Sequence, residues 1–339
     1  MDKIQPLSLS ASPEPDESMQ SFFNRLAQRN SPDPADGIEP VPADWIASAA
    51  DLDFRQTQFT DAQITRLSAL SGVPFKELRS LAPTEAREKG RWGDAVFHVL
   101  GHELPFSCLP NREGRRLCPE CLKESAHHRL IWNFRFAQVC TKHQIRLVLS
   151  CPECNPRKPK PLDWRVFDLT VCRNGHDLRN LVREPVSEEE ISGQRYIENI
   201  LFDRPQPVPE LLRGLQLSET IDVFGHFSDL PPKVRHSLLG ASHKRFGQFS
   251  GPYNLGAKEP DPRIGFRLSL GLAICQLAPR KMKQALIAAA SDEEIWATSD
   301  LPRILTYLRS RMMTWESKGF AIGRVVNDVL DSRGMGINW

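Results

Sequence analysis

The sequence lacks any apolar run long enough to cross a membrane. Its longest nearly apolar stretch, Leu268–Ala278, is about half a span and is interrupted by Ser269 and Gln276. The start of the chain lacks the basic residues and apolar centre of a secretory leader; it is polar and proline-rich, with Glu14, Asp16 and Glu17 close together. These absences predict a cytoplasmic, membrane-free protein whose thiols stay reduced. Catalytic patterns are missing as well. No Ser/His/Asp set or paired-carboxylate pattern stands out. The nearest approach to a phosphate loop is Gly251-Pro-Tyr-Asn-Leu-Gly256-Ala257-Lys258-Glu259. There the lysine is displaced by one position and no Ser or Thr follows it, so Mg²⁺ would lack its hydroxyl ligand. An enzyme is therefore not expected.

Net charge is also nearly absent, +2 over 339 residues, but the balance is uneven. Residues 1–62 carry four Lys/Arg against eleven Asp/Glu, a net of −7, whereas residues 112–183 carry fifteen against seven, a net of +8. A basic segment attracts phosphate backbones and an acidic one repels them. The alternative is a solvated surface with no nucleic-acid role.

What the sequence has is cysteine in a pattern. Cys-Pro-Glu-Cys occurs twice, at Cys118–Cys121 and Cys151–Cys154, each followed by a second pair, Cys140 with His143 and Cys172 with His176. The copies are offset by 33, 33, 32 and 33 residues at the four positions, giving C-x2-C-x18-C-x2-H and then C-x2-C-x17-C-x3-H. Three thiolates and one imidazole suit tetrahedral Zn²⁺, and four protein ligands leave no position for substrate or activated water. Two structural zinc ions are expected. Buried free thiols are the alternative, against which the doubled spacing argues; disulfides fit a reduced compartment poorly. Cys108 and Cys275 lie outside both sets and read as small buried hydrophobes.

Helical patterns flank this centre. Met19, Phe22, Phe23 and Leu26 fall at i, i+3, i+4 and i+7, one apolar face, and a Pro/Asp-rich loop (Ser31–Pro42) follows. Thr60 and Gln63 form a capping-box pattern for a helix to about Ser71, after which Gly72-Val73-Pro74 turns the chain into a short helix ending near Leu81. With Leu67 inward, Ser68 at the crossing and Val73, Leu78 and Leu81 as shared core, the pair resembles a helix-turn-helix whose second helix offers Lys76 and Arg79 to nucleic acid. Two helices joined at glycine are also common in any helical domain.

Between the ligand pairs, Trp132, Phe134 and Phe136 alternate with Asn133 and Arg135, and Trp164, Val166 and Phe167 precede Cys172, which predicts a short strand in each unit. The aromatics could stack on bases, but walling off the thiolates is the expected role in so small a module. Helices are predicted at Glu188–Phe202, from a Ser218 cap to Phe227, at Arg267–Leu277 and Lys281–Ala290 either side of Pro279, and at Leu301–Trp315 with Ile304, Leu305, Leu308 and Met312 on one face; Gly240–Arg263 reads as loop.

The fold class is thus mostly α: a disordered lead (1–16), an N-terminal helical domain with the helix-turn-helix (17–106), central tandem zinc-ribbon-like modules with short strands (107–185) and a C-terminal helical domain (186–339).

The order Glu17-Ser18, Arg25-Leu26-Ala27, Asn30, the helix pair, Leu117-Cys118-Pro-Glu-Cys121-Leu122, Arg129, Trp132, Val139-Cys140-Thr-Lys-His143 and Cys151-Pro-Glu-Cys154 resembles TniQ, a family of bacterial transposon target-selection proteins that includes the TnsD type. Phe22-Phe23 stands where the family often has Trp, and the C-terminal half carries no motif that matches. The resemblance implies a non-enzymatic adaptor that links a target to the AAA+ ATPase TnsC, which recruits the transposase. Some members bind a fixed target DNA directly; others ride on a CRISPR Cascade complex whose guide RNA reads it, and the weakly basic second helix leans toward such recruitment. It also implies that Cys118, Cys121, Cys140 and His143 fill one zinc site and Cys151, Cys154, Cys172 and His176 the other. A zinc-dependent DNA-binding transcription regulator is the alternative function, and homodimerisation is left open.

Overall fold

The computed structural model describes residues 6–31, 43–53, 56–85, 96–109, 114–154, 160–164, 168–246, 263–312 and 321–335. The chain divides into two compact units, Met1–Val186 and Ser187–Trp339.

The first unit opens with α1 (Met19–Arg29), capped by the Ser18 side chain, which accepts from the Ser21 N–H at 3.3 Å. The four residues of its expected apolar face are all buried. They share a core with α2 (Ala43–Ala50) and α3 (Asp61–Ser71), where Ile46, Ile64, Leu67 and Leu70 are buried. Burying each such side chain contributes about 1.5–3 kcal/mol. Helix α3 starts at the capping box formed by Thr60 and Gln63 and stops at Gly72, whose φ of +73° is the left-handed conformation that glycine adopts without a Cβ penalty. The Ser68 hydroxyl then donates to the Val73 carbonyl at 2.6 Å, closing the turn into α4 (Phe75–Arg79).

That second helix is only five residues long. Helix, glycine turn and helix lie where expected, but α4 is little more than one turn, short for a helix laid along a major groove. Residues 6–16, expected to be disordered, are held in place. The Leu7 N–H donates to the Leu70 carbonyl at 2.8 Å, the Asn30 side chain exchanges two hydrogen bonds with the Leu9 backbone, and Ala11 is buried. The Pro/Asp-rich loop lies, beyond Ser31, outside the described residues.

A three-stranded antiparallel sheet, β1 (Thr84–Glu85), β2 (Val96–Val99) and β3 (His102–Pro105), follows in the order β1-β2-β3. The Phe97 ring on β2 stacks on Phe134 at 6.0 Å, joining the sheet to the cysteine-rich segment. There α5 (Pro119–Glu124) precedes a hairpin, β4 (Val139–Cys140) with β5 (Ile145–Arg146), in which Val139 faces Arg146 and Cys140 faces Ile145. The strand expected through Trp132, Phe134 and Phe136 is replaced by a 3-10 turn at Leu130–Asn133 and a bend. The alternation does not mark a two-faced strand because the polar residues are buried too. Arg135 donates through Nε to the Leu109 carbonyl at 2.8 Å, and Asn133 donates to Gln20 at 3.1 Å. Of the second aromatic set, Trp164 is buried; Val166 and Phe167 lie outside the described residues.

The second unit is helical: α6 (Glu188–Leu201), α7 (Leu217–Ser228), α8 (Pro232–Leu239), α9 (Ile264–Cys275), α10 (Pro279–Ser291), α11 (Glu293–Thr298), α12 (Leu301–Met312) and α13 (Ala321–Asp331). Its centre is α9 against α6 and α7. A Cβ on Gly193 of α6 would come within 2.3 Å of the Leu268 backbone, so a side chain there would force the helices apart. Arg267 on α9, wholly buried, ion-pairs with Asp229 at 2.5 Å. The cap of α7 is Gln216, not Ser218: its N–H donates to the Glu219 carboxylate at 2.8 Å. Pro279 is the first residue of α10, where its missing N–H costs nothing. Helices α8, α11 and α13 are additions to the sequence reading. Of the expected loop Gly240–Arg263, residues 240–246 form a 3-10 helix, and the phosphate-loop-like stretch lies outside the described residues. No helix among the described residues is long and apolar enough to cross a membrane.

Candidate metal centres

Each cluster is assembled from a knuckle and a second ligand pair. In the first, Cys118 caps α5: its Sγ accepts from the Cys121 N–H at 3.4 Å, and Pro119 sits at the first helical position. That fixes two sulfurs on one turn. Cys140 ends β4, and His143 lies in the hairpin turn that closes with the Gln144 N–H donating to the Cys140 carbonyl at 2.8 Å. His143 Nδ1 lies 3.4, 3.3 and 3.5 Å from the sulfurs of Cys118, Cys121 and Cys140, and the last two sulfurs are 3.6 Å apart. In the second cluster, His176 Nδ1 is 3.5 Å from both Cys151 and Cys154, and Cys154 is 3.4 Å from Cys172. The turn there runs through Gly175 at φ +81°, with the Cys172 N–H donating to the His176 carbonyl at 3.0 Å. In each set the ligand atoms all lie within 4.8 Å of one another. A tetrahedron with metal–sulfur bonds of about 2.3 Å and metal–nitrogen bonds of about 2.0 Å needs ligand separations of about 3.5–3.8 Å, which these distances approach.

The donor chemistry calls for a cation. Cys121 is drawn down to about 2 by hydrogen bonds from the Cys118 and Cys140 thiols, helped by the Arg129 guanidinium. Cys118 is pushed up to about 12, chiefly by its hydrogen bond to Cys121, and Cys140 is raised further by the same two neighbours. Three thiolates this close share protons unless a metal replaces them. Behind the ligands, His143 Nε2 meets the Glu124 carboxylate at 3.1 Å, and Glu124 also holds Lys142 at 2.5 Å. A carboxylate on the far nitrogen is how metal-bound imidazoles are oriented. Cys108 and Cys275 are buried and belong to neither cluster, and burial pushes the Cys275 thiol well up.

The sequence-predicted nucleic-acid residues fare differently. Arg79 is engaged by Asp61, Nε to Oδ1 at 3.3 Å, while Lys76 is exposed. Most of the described positive charge of residues 112–183 is also committed. Arg115, Arg116 and Arg135 are buried, donating to backbone carbonyls of Val171, of Phe134 and Ala137, and of Leu109. Lys123 and Arg183 pair with Glu120, Lys142 with Glu124, Arg146 with Glu184 and Arg179 with Asp177. Trp132, Phe134, Phe136 and Trp164 are buried, so they pack rather than present faces to bases.

Sequence reasoning missed how α1 locks onto the first cluster. The residues between its two ligand pairs run alongside the start of α1. The Ser18 N–H donates to the His128 carbonyl at 2.8 Å, the Leu130 N–H to the Asp16 carbonyl at 2.7 Å, and the His128 N–H to the Ser21 hydroxyl at 2.9 Å. Glu17, wholly buried, accepts from Ser21 at 2.6 Å and from Arg25 at 2.6 and 2.9 Å. The only signal was the Glu17-Ser18 and Arg25 motif itself, to which no contact could be assigned.

The family model TniQ matches residues 8–147. The matched span contains α1–α5, the sheet and the first cluster; the second cluster lies beyond it. No curated protein matches the chain.

Proposed function

From a transposition-associated TniQ segment at residues 8–147, we propose that the protein is a non-catalytic target-selection adaptor in DNA transposition, acting in the cytoplasm. It carries one structural Zn²⁺ in each Cys₃His cluster and links a target complex to a TnsC-type AAA+ ATPase. The zinc ions hold the platform and do no chemistry, because protein ligands fill every position of both spheres. The target is delivered by a partner, with a guide-RNA Cascade complex favoured over direct reading of DNA.

The observation that carries this reading is the state of the cations. Direct readout needs side chains free to reach base edges. Arg79 is tied to Asp61, and among the described Lys/Arg of residues 112–183 only Lys160 and Arg173 have no ion pair or hydrogen bond to another described residue. Such a surface supports weak phosphate attraction and little discrimination.

The test is a salt series with purified protein on random duplexes and on DNA flanking its insertion points, with co-purification against a co-expressed TnsC-type ATPase and a guide-RNA Cascade complex. Weak binding that salt removes equally from every duplex, with stable co-elution, is expected. Nanomolar sequence-selective binding that Arg79→Ala abolishes would establish a direct reader instead.

A further inference from the structure

The two clusters share a ligand set but not an environment. The sulfurs of the first are buried, at 0, 1 and 3 % exposure for Cys118, Cys121 and Cys140. Its imidazole is fixed by Glu124, itself held by Lys142, and the Arg129 guanidinium compensates the Cys121 sulfur. In the second cluster Cys154 is only partly buried and follows two exposed residues, Pro152 and Glu153. His176 turns Nδ1 to the sulfurs, and its Nε2 has no hydrogen-bond partner among the described residues. The backbone that frames the first set is pinned to α1 on both sides of His128.

We propose that the two metal positions are unequal: the Cys118, Cys121, Cys140 and His143 position holds its ion permanently, and the Cys151, Cys154, Cys172 and His176 position is an exchange site that opens from Cys154. The inference rests on the reading of both clusters as metal sites. A metal leaves such a site by stepwise ligand replacement, in which an incoming donor takes the place of one sulfur and that sulfur takes a proton. The step begins at a sulfur that solvent reaches, and of the six cluster cysteines Cys154 is the one that is not buried. Outer partners of metal ligands are worth about 10–100-fold in affinity, and among the described residues a carboxylate meets the imidazole only at the first site.

The experiment uses the full chain loaded with zinc, total metal by elemental analysis, and release into a colorimetric chelator at neutral pH. Two zinc ions per chain are expected, one leaving about tenfold or more faster than the other. Glu124→Ala, an exposed change outside the ligand set, should speed the slow phase about tenfold and leave the fast phase unchanged. Limited alkylation followed by peptide mapping should mark Cys154 before any other ligand. Release in a single phase, a fast phase that responds to Glu124→Ala, or first labelling at Cys118, Cys121 or Cys140 would overturn the inference while leaving the metal reading intact. A metal content well below two would instead overturn the metal reading and the inference with it.

Discussion

Glu17 is the residue on which the first unit turns. Wholly buried, it accepts from Ser21, from Arg25 Nε and Nη2, and from the Glu14 N–H at 2.9 Å. Its hydrogen bond is the chief cause holding the Arg25 guanidinium above its ordinary range. Removing one partner of such a pair costs more than the pair contributes, because Arg25 then keeps only the Ser12 carbonyl and the more distant Glu14. Glu17→Ala is expected to lower unfolding stability by about 3 kcal/mol. Arg79→Ala breaks a pair whose side chains are 32 and 54 % exposed and should cost less than about 1 kcal/mol. Denaturant midpoints of the two variants check the contrast; comparable losses would mean that Glu17 is not the keystone. At this scale the ligand sets were legible because a metal knuckle is local: two sulfurs three residues apart define it. Glu17 was visible only as a motif, since its meaning lies in the position of its partners around α1.

Between elements, the decisive junction is α1 against the 3-10 turn at Leu130–Asn133. His128 sits there fully buried, its Nδ1 at 2.9 Å from the Ser18 hydroxyl and its ring edge-on to Trp132 at 5.2 Å and Trp164 at 4.7 Å. Burial, then the positive charges of Arg115, His127 and Arg116, holds it well below the ordinary 6.5 of histidine. The unfolded chain therefore takes up a proton below pH 6.5 that the folded chain refuses, so stability falls as pH drops from 6.5 toward the folded value. The cysteine ligands titrate as well, so the readout is the difference in pH dependence between the wild type and His128→Asn. The variant should flatten the slope below pH 6.5; an unchanged slope would show that His128 does not contribute.

The same junction explains which elements could be read in advance. The α3 cap and the Gly72 stop depend on residues within one helix, and they stand where the pattern put them. The aromatic run at 132–136 did not become a strand because its polar residues are buried against Gln20 and the Leu109 carbonyl, partners supplied by distant segments. Helix α13 carries Ile322, Val325, Val326, Val329 and Leu330 on one buried face, a helical period legible in the sequence although no motif accompanies it in this half of the chain.

Across the whole molecule, all eight ligands belong to the Met1–Val186 unit, and Ser187–Trp339 contains none of them. The second unit rests instead on helix packing, with glycines where α6 and α7 meet α9 and the Arg267–Asp229 pair buried at the centre. Metal binding to a folded site is folding free energy, on the order of 10–16 kcal/mol for a structural zinc near neutral pH, and it acts only on the unit that binds. The full chain should therefore melt in two calorimetric transitions. A strong chelator is expected to abolish the first unit's transition or lower it by tens of degrees, while the other moves by no more than a few. Protease mapping under the same conditions should find new cuts before Val186 and none added after Ser187. Loss of both transitions together would show that the metal sites govern the whole chain, and survival of both would remove zinc from the account of the fold.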